Sequence, residues 1–120
     1  MFVGVARFVL QIPGARSLKD RRQVVRSFRD RIKSRLGISA AEVGDAEKLQ
    51  VAILGVSVVS SDSGICREMV DKARRIAEGL PEAILADART EVLSFGAGGK
   101  ELEARLGTEN GDNAFAGEAE

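Results

Sequence analysis

The sequence contains no histidine, no tryptophan and no tyrosine, and a single cysteine in 120 residues. Without histidine the chain lacks the usual general base near neutral pH and the commonest nitrogen ligand for metals. Cys66 alone can form neither an internal disulfide nor a cysteine metal framework, which points to a reducing compartment and a cytoplasmic protein. The missing tryptophan and tyrosine remove two of the aromatic platforms on which nucleic-acid bases stack. No apolar run is long enough to span a membrane. The opening segment MFVGVARFVLQI has no cationic region ahead of its apolar residues, so it reads as a strand and not as a signal peptide.

Catalytic signatures are missing as well. Gly96-Ala97-Gly98-Gly99-Lys100 resembles a phosphate loop only superficially: Ser94 stands where the first glycine should be, and Glu101 where a metal-binding Ser or Thr should be. Asp87 and Glu91 share a strand face but lie roughly 13 Å apart, with Arg89 between them, and read as a surface ion-pair ladder. No nucleophile has a base partner. The expectation is a protein that is not an enzyme and holds neither cofactor nor metal.

What the sequence has is charge, unevenly placed. The formal net charge is zero, yet residues 1–37 carry ten Lys/Arg against two Asp/Glu, and residues 38–120 carry eight against sixteen. Half of all the cations lie in GARSLKDRRQVVRSFRDRIKSRLG, residues 14–37. Pro13-Gly14 breaks the preceding strand, Ser17 is placed to cap with Asp20 three residues on, and Gly37 terminates, so a helix is expected over 18–36. Leu18, Val25, Phe28, Ile32 and Leu36 form its apolar stripe, with Val24 at the margin. About 100° round the helix, Lys19, Arg22, Arg26, Arg29 and Lys33 recur at i, i+3, i+7, i+10 and i+14. Like charges at these spacings repel by roughly 0.2–0.5 kcal/mol per pair, so helix stability does not account for the ridge. An anionic partner would; a solvated face is the plainer alternative.

Residues 2–12 are β-branched and aromatic on both parities, as in a central strand, with Val3, Val5, Arg7 and Val9 on one face. Weak strand character over 38–43 and strong character over 48–60, joined by a turn at Gly44-Asp45-Ala46-Glu47, read as a hairpin. Ser60-Ser61-Asp62-Ser63 offers N-caps to a second helix with Ile65, Met69, Ala73, Ile76 and Leu80 inward and Cys66 as a small buried filler beside them. Residues 83–95 alternate as a half-exposed strand, with Ile84, Ala86, Ala88, Thr90 and Val92 on one face. Residues 96–120 are glycine-rich and acidic and are expected to be a flexible tail, with at most a short helix near 101–106. The order β-α-β-β-α-β is the ferredoxin-like α+β arrangement over residues 1–95, a four-stranded antiparallel sheet with both helices on one face. Its other face would expose Val3, Val5 and Val9, which are the expected interface of a homodimer.

Val3-Gly4-Val5, Ala15-Arg16-Ser17-Leu18-Lys19, Ala41-Glu42-Val43, Leu54-Gly55-Val56 and Val58-Val59-Ser60 together resemble the YlxP family, small bacterial proteins classed as a domain of unknown function. The resemblance runs from Met1 to about Leu93. It implies a ferredoxin-like fold and, by gene neighbourhood with translation and ribosome-maturation factors, a ribosome-associated role. The expected function is an RNA- or ribosome-contacting module that uses Arg16, Lys19, Arg22, Arg26, Arg29 and Lys33. Use of the sheet as an RNA platform is not expected, because LQVAILGVSVVS offers no aromatic for stacking. The alternative is a small-ligand-binding or oligomerisation domain of the regulatory kind, acting through the sheet face or the strand edges.

Overall fold

A computed structural model describes residues 1–96 and 100–108. Its elements are β1 (Phe2–Gln11), α1 (Leu18–Leu36), β2 (Ser39–Glu42), β3 (Val51–Ser60), α2 (Ser63–Glu78), β4 (Ile84–Ser94) and α3 (Lys100–Thr108). The sheet order is β2-β3-β1-β4 with every pairing antiparallel, so β1 and β3 are central, as their apolar character implies. The fold is ferredoxin-like α+β. The core lies between the sheet and the first two helices, built on Phe8, Leu10, Phe28, Ile32, Leu54 and Val70. Phe8 and Phe28 meet edge to face with ring centroids 6.0 Å apart.

Local chemistry sets the element ends. Ser17 Oγ accepts from the Asp20 N–H at 3.1 Å, and the Asp20 carboxylate in return accepts from the Arg16 N–H at 3.0 Å, a capping box displaced by one residue. Gly37 takes the left-handed conformation at φ 65° and donates to the carbonyls of Ile32 and Lys33, which closes α1. Asp62 caps α2 through the Gly64 N–H at 2.7 Å. α2 packs close to the sheet because β1 carries Gly4 there: a Cβ at that position would stand 3.1 Å from both Cys66 Cβ and Val70 Cγ1.

That close approach rotates α2 relative to the expected stripe. Cys66, Val70, Ala73, Ile76, Ala77 and Leu80 face inward, whereas Ile65 is 46% exposed and Met69 half-buried. In α1, Val24 is as buried as Val25, and Leu18 in the first turn is 37% exposed.

β4 departs from strict alternation. Its register against β1 shifts between Val9 and Leu10, where Asp87 pairs with Val9 but Leu85 pairs with Leu10, leaving Ala86 as a bulge. The extra residue puts Leu85 on the helix side with Ala88 and sends Ile84 to the open face. The short hairpin also differs in extent. β2 ends at Glu42 and β3 begins at Val51, with Val43 N–H still donating to the Ile53 carbonyl at 2.8 Å, and an α1 side chain takes up two carbonyls of the connection, as described below. The expected tail at 97–99 and 109–120 lies outside the described residues, as do the glycines of the loop-like Gly96–Lys100 stretch beyond Gly96 itself. Between those two stretches stands α3, longer than the short helix expected there, with none of its described residues in the core. No helix among the described residues is long and apolar enough to cross a membrane.

Candidate nucleic-acid interface

The helix α1 is held to the sheet by one face and presents the ridge on another. Val24, Val25, Phe28 and Ile32 are buried, and with them Arg21, 1% exposed and the one buried charged residue among those described. Arg21 Nη2 donates to the Glu42 carboxylate on β2 and to the carbonyls of Asp45 and Val51 at 3.1 and 3.2 Å, while its Nε donates to the Lys48 carbonyl. One guanidinium therefore satisfies three main-chain acceptors and one carboxylate, and fixes the 43–50 connection beside the N-terminal half of α1. Simple counting of cations hides this role. The signal was in the spacing: Leu18, Arg21, Val25, Phe28 and Ile32 fall on one stripe, so an arginine at that position must turn inward and find an anion.

Lys19, Arg22, Arg26, Arg29 and Lys33 are all exposed. From Lys19 to Lys33 the ridge is about 21 Å long at 1.5 Å rise per residue. The ion pairs among the described residues lie elsewhere, at Arg7–Asp87, Arg21–Glu42, Lys72–Glu68 and Arg74–Glu78. None of the five ridge cations takes part in one. Arg16 is exposed just ahead of the helix, so its charge extends the row at the N-terminal end. At the other end, Arg29 and Lys33 border a depression of about 510 Å³ with Gly37, Ile38, Ser39 and Ala40, which carries the basic surface to the edge strand β2. A smaller hollow of about 220 Å³ lies among Lys19, Arg22, Gln23 and Arg26. The arrangement can hold a row of anionic groups through charge and long donors.

Val3, Val5 and Val9 lie half-buried on the open face of the sheet. They are joined there by Ile53 and Val51 of β3 and Val43 beyond β2. The expected ladder within β4 does not form. Asp87 instead pairs across the strands with Arg7 at 3.6 Å, Arg89 stands opposite Arg7, and Glu91 stands opposite Val5. Cys66 is fully buried, its Sγ 3.9 Å from the Val58 carbonyl, in agreement with a filler role. Among the described residues no group of three or more carboxylates and cysteines could hold a metal ion.

Fold and surface define a small ferredoxin-like α+β domain whose outer helix α1 carries a row of exposed cations with no ion pair among the described residues. Residues 3–90 match the model of a family described as a protein of unknown function, DUF503, and the chain belongs to that family. The family's description names no enzymatic activity. No curated protein matches the sequence. Among solved structures, the de novo designed protein Foldit4 superposes with a TM-score of 0.50 at 9% identity, over 80% of this chain and all of that one. A second design, LFR1 1, with a ferredoxin fold, gives 0.49 at 15% identity over 81% and 89% of the two chains. SnoaB, a cofactor-independent oxygenase from Streptomyces nogalater, gives 0.43 at 12% identity over 78% and 90%. The first likeness bears on the fold alone, and the other two are too distant to carry an argument.

Proposed function

We propose that the protein is a non-catalytic module that contacts RNA, with ribosomal RNA or a ribosomal subunit as the target, through the outer ridge of α1. The observation that carries this reading is the row Lys19, Arg22, Arg26, Arg29 and Lys33, exposed and without ion-pair partners among the described residues, on a helix anchored by a buried face. Such a row repels itself, and a polyanion removes that repulsion. The YlxP resemblance supports a role in ribosome maturation or translation, and the single cysteine supports a cytoplasmic setting. Contacts of this kind go to phosphates, so binding depends on salt far more than on base sequence.

The test is co-sedimentation of the purified full chain with ribosomal subunits across a salt series, for wild type and for Arg22→Glu combined with Arg26→Glu. If about four phosphates are neutralised, log K falls against log salt with a slope of roughly −3 at about −0.7 per phosphate. The folded double variant is expected to lose most of its binding and to show a shallower slope. Equal binding by the folded variant would leave the ridge a solvated face. The second reading, a small-ligand or oligomerisation domain acting through the sheet, is favoured by the apolar open face; binding that is indifferent to salt would support it.

A further inference from the structure

Six of the nine large apolar side chains that are strongly exposed among the described residues lie on the open face of the sheet: Met1, Val43, Val59, Ile84, Leu93 and Phe95. They are not spread evenly. Across the sheet, Val59, Val3 and Leu93 form one row near the start of β1, and Met1 and Phe95 extend it, joined by Phe95 N–H to Met1 carbonyl at 2.8 Å. Ile53 and Val9 form a second row near the other end, with Val51 and Ile84 beyond. Between the two clusters runs a polar band containing Arg7, Arg89 and Glu91. Arg7 is paired with Asp87 at its margin, but Arg89 and Glu91 are exposed and form no ion pair among the described residues. They are two residues apart on one strand face, about 7 Å.

We infer that this face is covered by a second copy of the same chain, stacked sheet on sheet about a two-fold axis that crosses β4 between Arg89 and Glu91. That single operation reverses the strand direction and keeps each strand over its own counterpart. It sets Glu91 over Arg89 of the other copy and Arg89 over its Glu91. It also lays Val3 and Val59 on Val9 and Ile53, and Ile84 on Phe95, while Leu93 meets Asp87 and Val5 meets Arg7, so most of the apolar side chains meet apolar ones and Arg89 and Glu91 each meet the opposite charge. Reciprocal contacts under one axis are what an isologous interface requires. Three strands of ten or eleven residues and the four-residue β2, about 4.8 Å apart, cover on the order of 500 Å² per copy, which places the pair at the threshold of a specific interface. Both α1 ridges then point outward on opposite sides of a four-layer particle.

Sedimentation equilibrium of the full chain between about 1 and 100 µM, read together with three charge variants, tests the arrangement. Wild type is expected to dimerise. Glu91→Arg, which places like charges over each other, should weaken the dimer at least about tenfold. Arg89→Glu should do the same, and Arg89→Glu combined with Glu91→Arg should restore association to within about threefold of wild type, because the axis pairs the exchanged charges again. These positions are exposed, and circular dichroism checks that the variants fold. A monomeric wild type overturns the inference. So does a dimer that Glu91→Arg leaves intact, since its interface must lie elsewhere, and so does a double variant that fails to recover.

Discussion

Arg21 ties three parts of the outer layer together. Its guanidinium joins α1 to Glu42 on β2 and to the carbonyls of Asp45, Lys48 and Val51, so deleting it leaves a carboxylate and three main-chain acceptors without their donor. Breaking a buried pair from one side costs about 3–5 kcal/mol, a large share of a small domain's stability of about 5–15 kcal/mol. Arg21→Ala is therefore expected to lower the urea midpoint steeply at an unchanged slope, whereas Arg22→Ala, one residue away on the exposed side, leaves it within about 0.5 kcal/mol. Equal effects at the two positions would mean that the 43–50 connection is held by something other than Arg21. Replacing Arg21 and Glu42 together by apolar residues should recover only part of the loss, because the carbonyls still lack a donor. This residue was legible in the sequence as a break in the pattern: an arginine on the Leu18–Val25–Phe28 stripe. Its partner was not, because Glu42 is 21 positions away and reaches Arg21 only once β2 lies along β3.

At the scale of elements, the helices and strands were readable because each repeats its own period, and α1 carries its capping residues at both ends. What could not be read was the phase at which they meet. The turn of α2 toward Cys66 and Val70 depends on Gly4 lying beneath it, and the reversal of Ile84 and Leu85 depends on the bulge at Ala86, neither of which leaves a mark on hydrophobic alternation alone. The ridge was legible, but its freedom from ion pairs among the described residues is a property of the assembled fold. It yields a prediction that separates function from stability. Arg22 has Lys19 three residues before it and Arg26 four residues after it, so Arg22→Gln removes two repulsive contacts. The variant should be more stable by about 0.5 kcal/mol at low ionic strength, an advantage that fades with added salt, while its affinity for RNA falls. A loss of stability in Arg22→Gln, read by thermal denaturation at two salt concentrations, would show that the side chain has a structural partner.

For the whole molecule, the zero net charge conceals two opposed halves, and the acidic excess lies partly beyond the folded sheet. Residues 97–120 contain six acids and two bases, so the chain that ends at Gly96 has a net charge of plus four where the full chain has zero. All four strands and both core helices are complete before that point, and none of the described residues after Phe95 belongs to the core. Removing residues 97–120 should therefore leave the unfolding midpoint nearly unchanged. The effect on RNA is expected to be different in kind: with the acidic excess gone, long-range attraction to a polyanion increases, and association becomes faster at low ionic strength. Because the proposed ridge contacts are untouched, the gain should disappear as the Debye length contracts from about 30 Å at 0.01 M to about 8 Å at 0.15 M salt, where truncated and full chains should bind alike. Stopped-flow association with a fluorescent ribosomal RNA fragment, measured at both salt concentrations, separates these outcomes. A truncated chain that binds more weakly at either concentration would show that residues 97–120 contribute contacts of their own, and a lowered unfolding midpoint would show that they pack on the domain.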